Sequence, residues 1–458
     1  MFGMHQRVMA AILACTTLLA SGADAQAQLR QTLQWRRAAK TFDANLTGHP
    51  LVNVLEDIRR QTGWEVFYDP GLRIKVDAEF TGKRPGDALK LMLGNTPYTL
   101  APSIKGATKL YVFRSNRNQA TERIEAGKDK ARPIPNELIL VLKKGRDGKA
   151  LAAQYNADIL GFIASHNAYR LRFKDAKAAE QARALIEANG DWGDVDHNYA
   201  VERPEAIEPV RGGAVPGLKL NLENLGKGNA VIIGMIDTGV QAQGMSHAEF
   251  LLPSIEIAGQ PVHDPKVPSH GTTMAETMIR GLSQSGIGAN DRPVQILPVD
   301  VYGSSELTST FDVARGITAA VNAGAPIVNL SLGGTGNSVF LHNVIKNCHD
   351  QGVLFLGAAG NEPVTTPTYP AAYPEVMAIT ATDRTGGIAS YANRGDFIDV
   401  AAPGATLVNY DKKSWHVTGT SAATAYMAGV AAGLTSRSNK SPTQVGEGII
   451  NVMGLKKK

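Results

Sequence analysis

The chain has 458 residues, of which 43% are hydrophobic and 19% charged, and its formal net charge is +5. That length exceeds what one ordinary core holds, so two or three domains are expected, and the balance of residues is that of a globular protein rather than a fibrous or low-complexity one. The charge is mild and spread along the chain apart from a Lys-Lys-Lys terminus, no basic patch with interleaved aromatics occurs, and nucleic-acid binding is set aside.

The opening "MFGMHQRVMAAILACTTLLASGADAQAQ" places Arg7 before an apolar run (8–20) and an Ala23-x-Ala25 pattern. This reads as a signal peptide over 1–25, too short and wrongly flanked to span a membrane, and it predicts an exported protein, periplasmic or secreted. The alternative makes "ILAC" a lipoprotein processing site with Cys15 acylated; it is disfavoured because the apolar run continues past Cys15. Cys15 and Cys348 are the only cysteines, so removal of the signal leaves one thiol and no intrachain disulfide. "LHNVIKNCHD" puts His342, Cys348 and His349 on one predicted helix, but the spacing matches no zinc signature; a helix with polar residues on its outer face is expected.

Two breaks divide the rest of the chain. Residues 115–135, "SNRNQATERIEAGKDKARPIP", are charged and nearly free of large apolar side chains, and 204–225 opens on the Pro- and Gly-rich "PEAIEPVRGGAVPG"; both read as linkers. Before the first, in 40–114, Leu51, Val54, Leu55 and Ile58 recur at helical spacing and residues 64–68 alternate as a strand. A second helix ("PGDALKLMLGNT") and strand ("TKLYVFR") complete a small α+β unit. The patterns "LxxVLxxIxxQTGxxVxYDP" and "ALxxxLxxT" resemble the short N-terminal domain of secretins and TonB-dependent receptors. That resemblance implies a docking or signalling module and an envelope protein as partner. Between the breaks, in 136–203, "PNELILVLKKG", "ALAAQYNADILGFIASHNAYRLRF" and "AAEQARALIEANGDWGDVDHNYAVERP" read as strand, helix, strand, helix, strand, closing an antiparallel sheet.

Residues 226–458 carry the chemistry. "GNAVIIGMIDTGV" is an apolar run of strand length ending at Asp237; "APIVNLSLGG" and "GVLFLGAAGNEP" are two more, the last ending at Asn361. Continuous apolar strands alternating with helical stretches such as "STFDVARGITAAVNAG" imply a doubly wound, mostly parallel α/β sheet, with functional side chains at the carboxyl ends of its strands. An Asp-Thr-Gly also marks aspartic proteases, but that chemistry needs two carboxylates and no second such triplet occurs. In "VPSHGTTMAETMIRG" His270 opens a helix, and in "VTGTSAATAYMAGVAAG" Ser421 stands where a capping serine would also stand. Asp237, His270 and Ser421 nevertheless supply an acid, a base and a nucleophile, in one of the chain orders in which such triads occur, and serine acyl transfer requires these three groups together with donors for the oxyanion.

"MIDTGV", "SHGTTMAETMIRG", "VNLSLG", "AAGN", "YPAAYPEVMAITAT", "VAAPG" and "GTSAATAYMAGVAA", in this order, resemble the catalytic domain of subtilisin-like serine proteases. The resemblance implies a subtilisin-like fold preceded by two small α+β domains, an endopeptidase acting on polypeptide substrates, and roles for single residues. Asp237 would orient the base, His270 would be general base and acid, Ser421 would attack, and Asn361 would complete the oxyanion hole. Backbone at Ser331, Leu332 and Gly333 and at Ala358, Ala359 and Gly360 would line the substrate cleft. Residues 136–203 then resemble the propeptide of such proteases, which implies a zymogen. No cofactor is expected; several family members bind calcium, but no ligand loop is legible here. The chain departs from the family pattern at Thr273, where His is usual, at Glu276, where Gly is usual, and at Ala425 and Tyr426, where Pro-His is usual. Those departures and the receptor-like N-terminal unit leave one rival reading, an envelope docking protein with a non-catalytic or self-limited protease domain.

Overall fold

The computed structural model describes residues 32–102, 107–124, 132–204, 208–209, 218, 220, 225, 228–288 and 290–455. The expected signal peptide, with Cys15, lies outside them. The chain forms two compact units, Met1–Gly127 and Lys128–Lys458.

In the first unit, β1 (Thr32–Arg36), β2 (Thr41–Pro50) and β4 (Lys75–Lys83) form one antiparallel sheet; β3 (Glu65–Tyr68), β5 (Tyr98–Ala101), β6 (Lys109–Val112) and β7 (Glu122–Ile124) form another in the order β5-β6-β3-β7. Helix α1 (Leu51–Thr62) buries Leu51, Val54, Leu55 and Ile58, the predicted stripe, and stops where Gly63 takes a left-handed conformation. Helix α2 (Pro85–Leu93) starts on a proline and closes over the same core. Strand β7 falls inside the stretch read as a linker. It pairs antiparallel with β3, and only Ile124 of its three residues is buried, too little to leave an alternating signature.

The second unit begins with β8 (Pro133–Leu142), α3 (Gly148–Gln154), β9 (Asp158–Ile163), β10 (Ala168–Arg172), α4 (Ala176–Asn189) and β11 (Gly193–Glu202), whose strands lie antiparallel in the order β11-β8-β10-β9. Alternation on β8 divides its work between two faces. Leu138, Leu140 and Leu142 pack under α3 and α4, while Ile139 joins a core shared with the rest of the unit, beside Phe311 and Phe340. This small domain is therefore seated on its neighbour through the second face of β8.

That neighbour is built on β13 (Val231–Asp237), β14 (Ile255–Glu256), β15 (Val294–Asp300), β17 (Ile327–Leu330), β18 (Leu354–Ala358), β19 (Val376–Thr382) and β20 (Val400–Pro403), all parallel, in the order β14-β15-β13-β17-β18-β19-β20. Helices α5 (His270–Gln284), α8 (Thr420–Ser436) and α9 (Pro442–Met453) cover one face; α6 (Thr310–Asn322) and α7 (Val339–Asp350) cover the other. The doubly wound sheet expected from the sequence is the one observed. Short strand β16 (Leu307–Ser309) and hairpin β21 (Ala405–Tyr410)–β22 (Lys413–Thr418) sit outside the sheet. On α7, Cys348 faces the core at 5% exposure, and His342 bonds Glu375 instead of lying free on an outer face. No group of three or more metal-ligating side chains occurs among the described residues.

Candidate active site

The chain runs from β13 to β15 on one side and later to β17 on the other, so β13 is the switch point of the sheet, where clefts form at strand C-termini. Asp237 ends β13 fully buried. Its Oδ1 accepts from the Thr238 N–H at 2.7 Å, and both carboxylate oxygens meet His270 Nδ1, at 2.7 and 3.0 Å. A buried carboxylate on Nδ1 requires the proton there, which leaves Nε2 as the basic nitrogen.

His270 is held by the way its helix begins. Ser269 caps α5, its Oγ accepting from Thr272 N at 3.1 Å and donating to Gly239 O at 2.7 Å. The Gly271 N–H donates to Thr238 Oγ1 at 2.8 Å, and a Cβ at Gly271 would lie 2.1 Å from the Thr238 carbonyl. Only glycine lets strand end and helix start approach this closely.

Ser421 is not the cap of α8. Gly419 is, with φ of 140° and no side-chain cap bond, and Ser421 is the second helical residue. Its Oγ donates to the Ser331 carbonyl at 3.2 Å, while Ser331 Oγ donates to the Ser421 carbonyl at 3.2 Å and accepts from Asn329 Nδ2 at 2.9 Å. Among the described residues no hydrogen bond joins Ser421 to His270; such bonds are often long before substrate arrives. Asn361 follows β18. Its Oδ1 accepts from Thr420 N at 2.8 Å and Thr420 Oγ1 at 3.1 Å, which commits the oxygen and leaves Nδ2 as the donor, beside Gly419 at the start of α8. That helix start adds backbone N–H groups and the positive end of a dipole.

Ser331, Leu332 and Gly333 continue from β17 and Ala358, Ala359 and Gly360 from the end of β18, so both expected cleft segments stand at adjacent strand ends; the Leu332, Ala358 and Ala359 side chains are buried, leaving backbone. A further edge was missed. β11 of the small domain pairs antiparallel with β16, Ala200 opposite Ser309, Val201 opposite Thr308 and Glu202 opposite Leu307. Arg203 N then donates to Glu306 O at 2.8 Å, Arg203 Nη1 to Ser305 O at 3.2 Å, and the buried Tyr302 phenol to Glu202 O at 3.0 Å. Burial drives that phenol well above its usual proton affinity, so it donates at any neutral pH. Five residues on, β12 (Glu208–Pro209) pairs with β22, Glu208 opposite His416, just before the Gly419–Ser421 turn. The polar stretch "GSSELTS" gave no apolar periodicity from which β16 could be read.

The small domain also closes both outer helices. Asn198 Oδ1 accepts from Phe311 N (3.1 Å) and Thr310 Oγ1 (3.2 Å), and Asp196 Oδ2 accepts from Ser338 Oγ (2.7 Å) and Phe340 N (3.0 Å). Arg170 bridges Glu137 and Asp312 at 2.7 and 2.6 Å.

A carboxylate–imidazole pair and a hydroxyl at a helix start are the parts a serine hydrolase would need, and comparison with known proteins names the kind of protein. The model of the subtilase family matches residues 228–453, and that of the fervidolysin N-terminal prodomain matches 119–195. Thermitase of Thermoactinomyces vulgaris is 31% identical over 231 residues, 50% of this chain and 82% of its own. The thermostable alkaline protease of Halalkalibacterium halodurans is 35% identical over 222 residues, 46% of this chain and 58% of its own. Fervidolysin from Fervidobacterium pennivorans shares the fold at a TM-score of 0.51 and 19% identity, over 70% of this chain and 57% of that one. The chain belongs to the subtilase family: it is a subtilisin-like serine endopeptidase made with a prodomain.

Proposed function

We propose that Asp237, His270 and Ser421 are the catalytic triad of this endopeptidase and that Asn361 is the oxyanion donor. The bidentate seating of His270 on the buried Asp237 carries the reading. In the mechanism it supports, Ser421 Oγ attacks the scissile carbonyl as Nε2 of His270 takes its proton; the imidazolium then gives that proton to the leaving amine, and water repeats the sequence on the acyl-enzyme. Asn361 Nδ2 and backbone N–H at the start of α8 receive the negative oxygen. The backbone edges at Ser331–Gly333 and Ala358–Gly360 take the substrate as an added strand.

The substrate-like pairing of β11 on β16 and of β12 on β22 supports maturation by cleavage between Arg203 and Glu208. Export through the N-terminal signal, into the periplasm or medium, fits the protease reading. The first unit has its own core and the receptor-like sequence pattern, and we assign it to docking on an envelope protein.

Peptide hydrolysis by purified protein tests the assignment. Ser421→Ala and His270→Ala abolish turnover, and Asn361→Ala lowers kcat about 100- to 1,000-fold. Unchanged hydrolysis in these three variants overturns it.

A further inference from the structure

Behind the catalytic helices lies a cavity of 650 Å³ whose wall includes Thr277 and Arg280 of α5, Tyr426 of α8, Thr406 of β21, His416 of β22 and Arg384 of the loop after β19. No carboxylate is among the described residues lining it, and none of its three basic side chains is in an ion pair among them. Arg280 gives Nη2 to the Leu407 carbonyl at 2.9 Å, but its Nε is buried without a partner, and so is Thr406 Oγ1 on the same wall. Burial lowers the proton affinity of the Arg280 guanidinium, and the charge of Glu276 one turn away offsets this only in part. Glu276 itself is committed elsewhere, accepting from Ser246 N at 2.8 Å and facing His247 at 3.1 Å. Likewise Asp383, the neighbour of Arg384, accepts from Thr385 and Gly387 within its own turn. Two of the departures from the subtilase pattern meet here: Tyr426 lines the cavity and Glu276 adjoins it.

A concave site with two guanidiniums, an imidazole and the unpartnered Thr406 hydroxyl, and no acid among its described lining residues, suits negative oxygens; the Thr277 hydroxyl is already given to the Thr273 carbonyl at 2.7 Å. We propose that this cavity is an anion site that takes a compact oxyanion, the phosphate or carboxylate groups of a small molecule, and thereby ties α5, α8 and the β21–β22 hairpin together. The catalytic machinery does not use it, yet α5 carries His270 and α8 carries Ser421, so occupancy stabilises the helices that hold the site.

The test uses the full chain carrying Ser421→Ala, which stays intact, titrated calorimetrically with sodium phosphate and with sodium citrate against sodium chloride at matched ionic strength. Saturable binding at a single site is expected, weakened about tenfold or more by Arg384→Gln, the loss of one charge-assisted contact. The variant His416→Gln weakens it too, whereas Lys412→Gln, an exposed cation at the tip of the same hairpin, leaves it unchanged. Saturation by phosphate identifies a phosphate-bearing ligand, and saturation by citrate alone a carboxylate. Absence of saturation by either anion, or equal binding in Arg384→Gln and Lys412→Gln, overturns the proposal.

Discussion

At the scale of single residues, the site depends as much on what is small as on what reacts. Gly271 admits the Thr238 carbonyl where a Cβ would stand at 2.1 Å, so Gly271→Ala forces the start of α5 away from β13. We expect about 1–3 kcal/mol of lost stability, measured by denaturant unfolding, with a fall in kcat and little change in KM, because the shift moves His270 and not the substrate edges. A variant with unchanged kcat would show that the helix start tolerates the displacement. Gly419 matters for a different reason: its φ of 140° lies where side chains are strained. The proposed triad could be picked out of the sequence because each member stands at an apolar strand end or a helix start in a recognisable order. Its supports could not. Thr420, which anchors Asn361, and Ser269, which caps α5, are ordinary hydroxyl residues whose meaning comes only from distant partners.

At the scale of elements, the prodomain acts on helix ends. Asp196 accepts the first turn of α7 and Asn198 that of α6, supplying acceptors to otherwise unmatched N–H groups. Asp196→Ala should weaken the association by about 1–2 kcal/mol, read as poorer inhibition of the mature enzyme by its prodomain; equal inhibition would deny the contact any role. A second tie is sensitive to pH. The hydrogen bond to Glu276 holds the His247 imidazolium above its ordinary proton affinity. A folded-state value raised in this way stabilises fully below the unfolded imidazole's value of about 6.5, and the contribution is lost as pH rises through the folded value. In the Ser421→Ala background, His247→Gln should therefore lower the urea midpoint at acidic pH, and the difference should shrink as the solution is made alkaline. A difference that grows with pH would contradict the pairing. Predicted elements matched where they were long: α1, α4 and the parallel strands announce themselves by period or by unbroken apolar runs. Strands β7 and β16, three residues each, are defined by their partners, and no window that short carries a period.

Across the whole molecule, charged or Pro- and Gly-rich stretches divide the sequence into three runs of apolar pattern, whereas the structure holds two compact units, with the second and third runs in one of them. What composition could not supply is that the second part is seated on the third by a shared core and by β11 pairing on β16. That arrangement seats the prodomain on the protease domain within one chain, with β11 on β16 and β12 on β22. For the docking proposed for the first unit, deletion of 40–114 should leave peptide hydrolysis intact and abolish cleavage of an envelope substrate in cells, and retained cleavage would remove the docking role. The most direct measurement is intact mass over time for purified wild type and Ser421→Ala, with a fluorophosphonate added. Wild type is expected to be cut between Arg203 and Glu208 and to take the label, while Ser421→Ala stays whole and unlabelled. A wild type that is neither cut nor labelled, or an equally processed Ser421→Ala, would contradict a self-maturing serine protease.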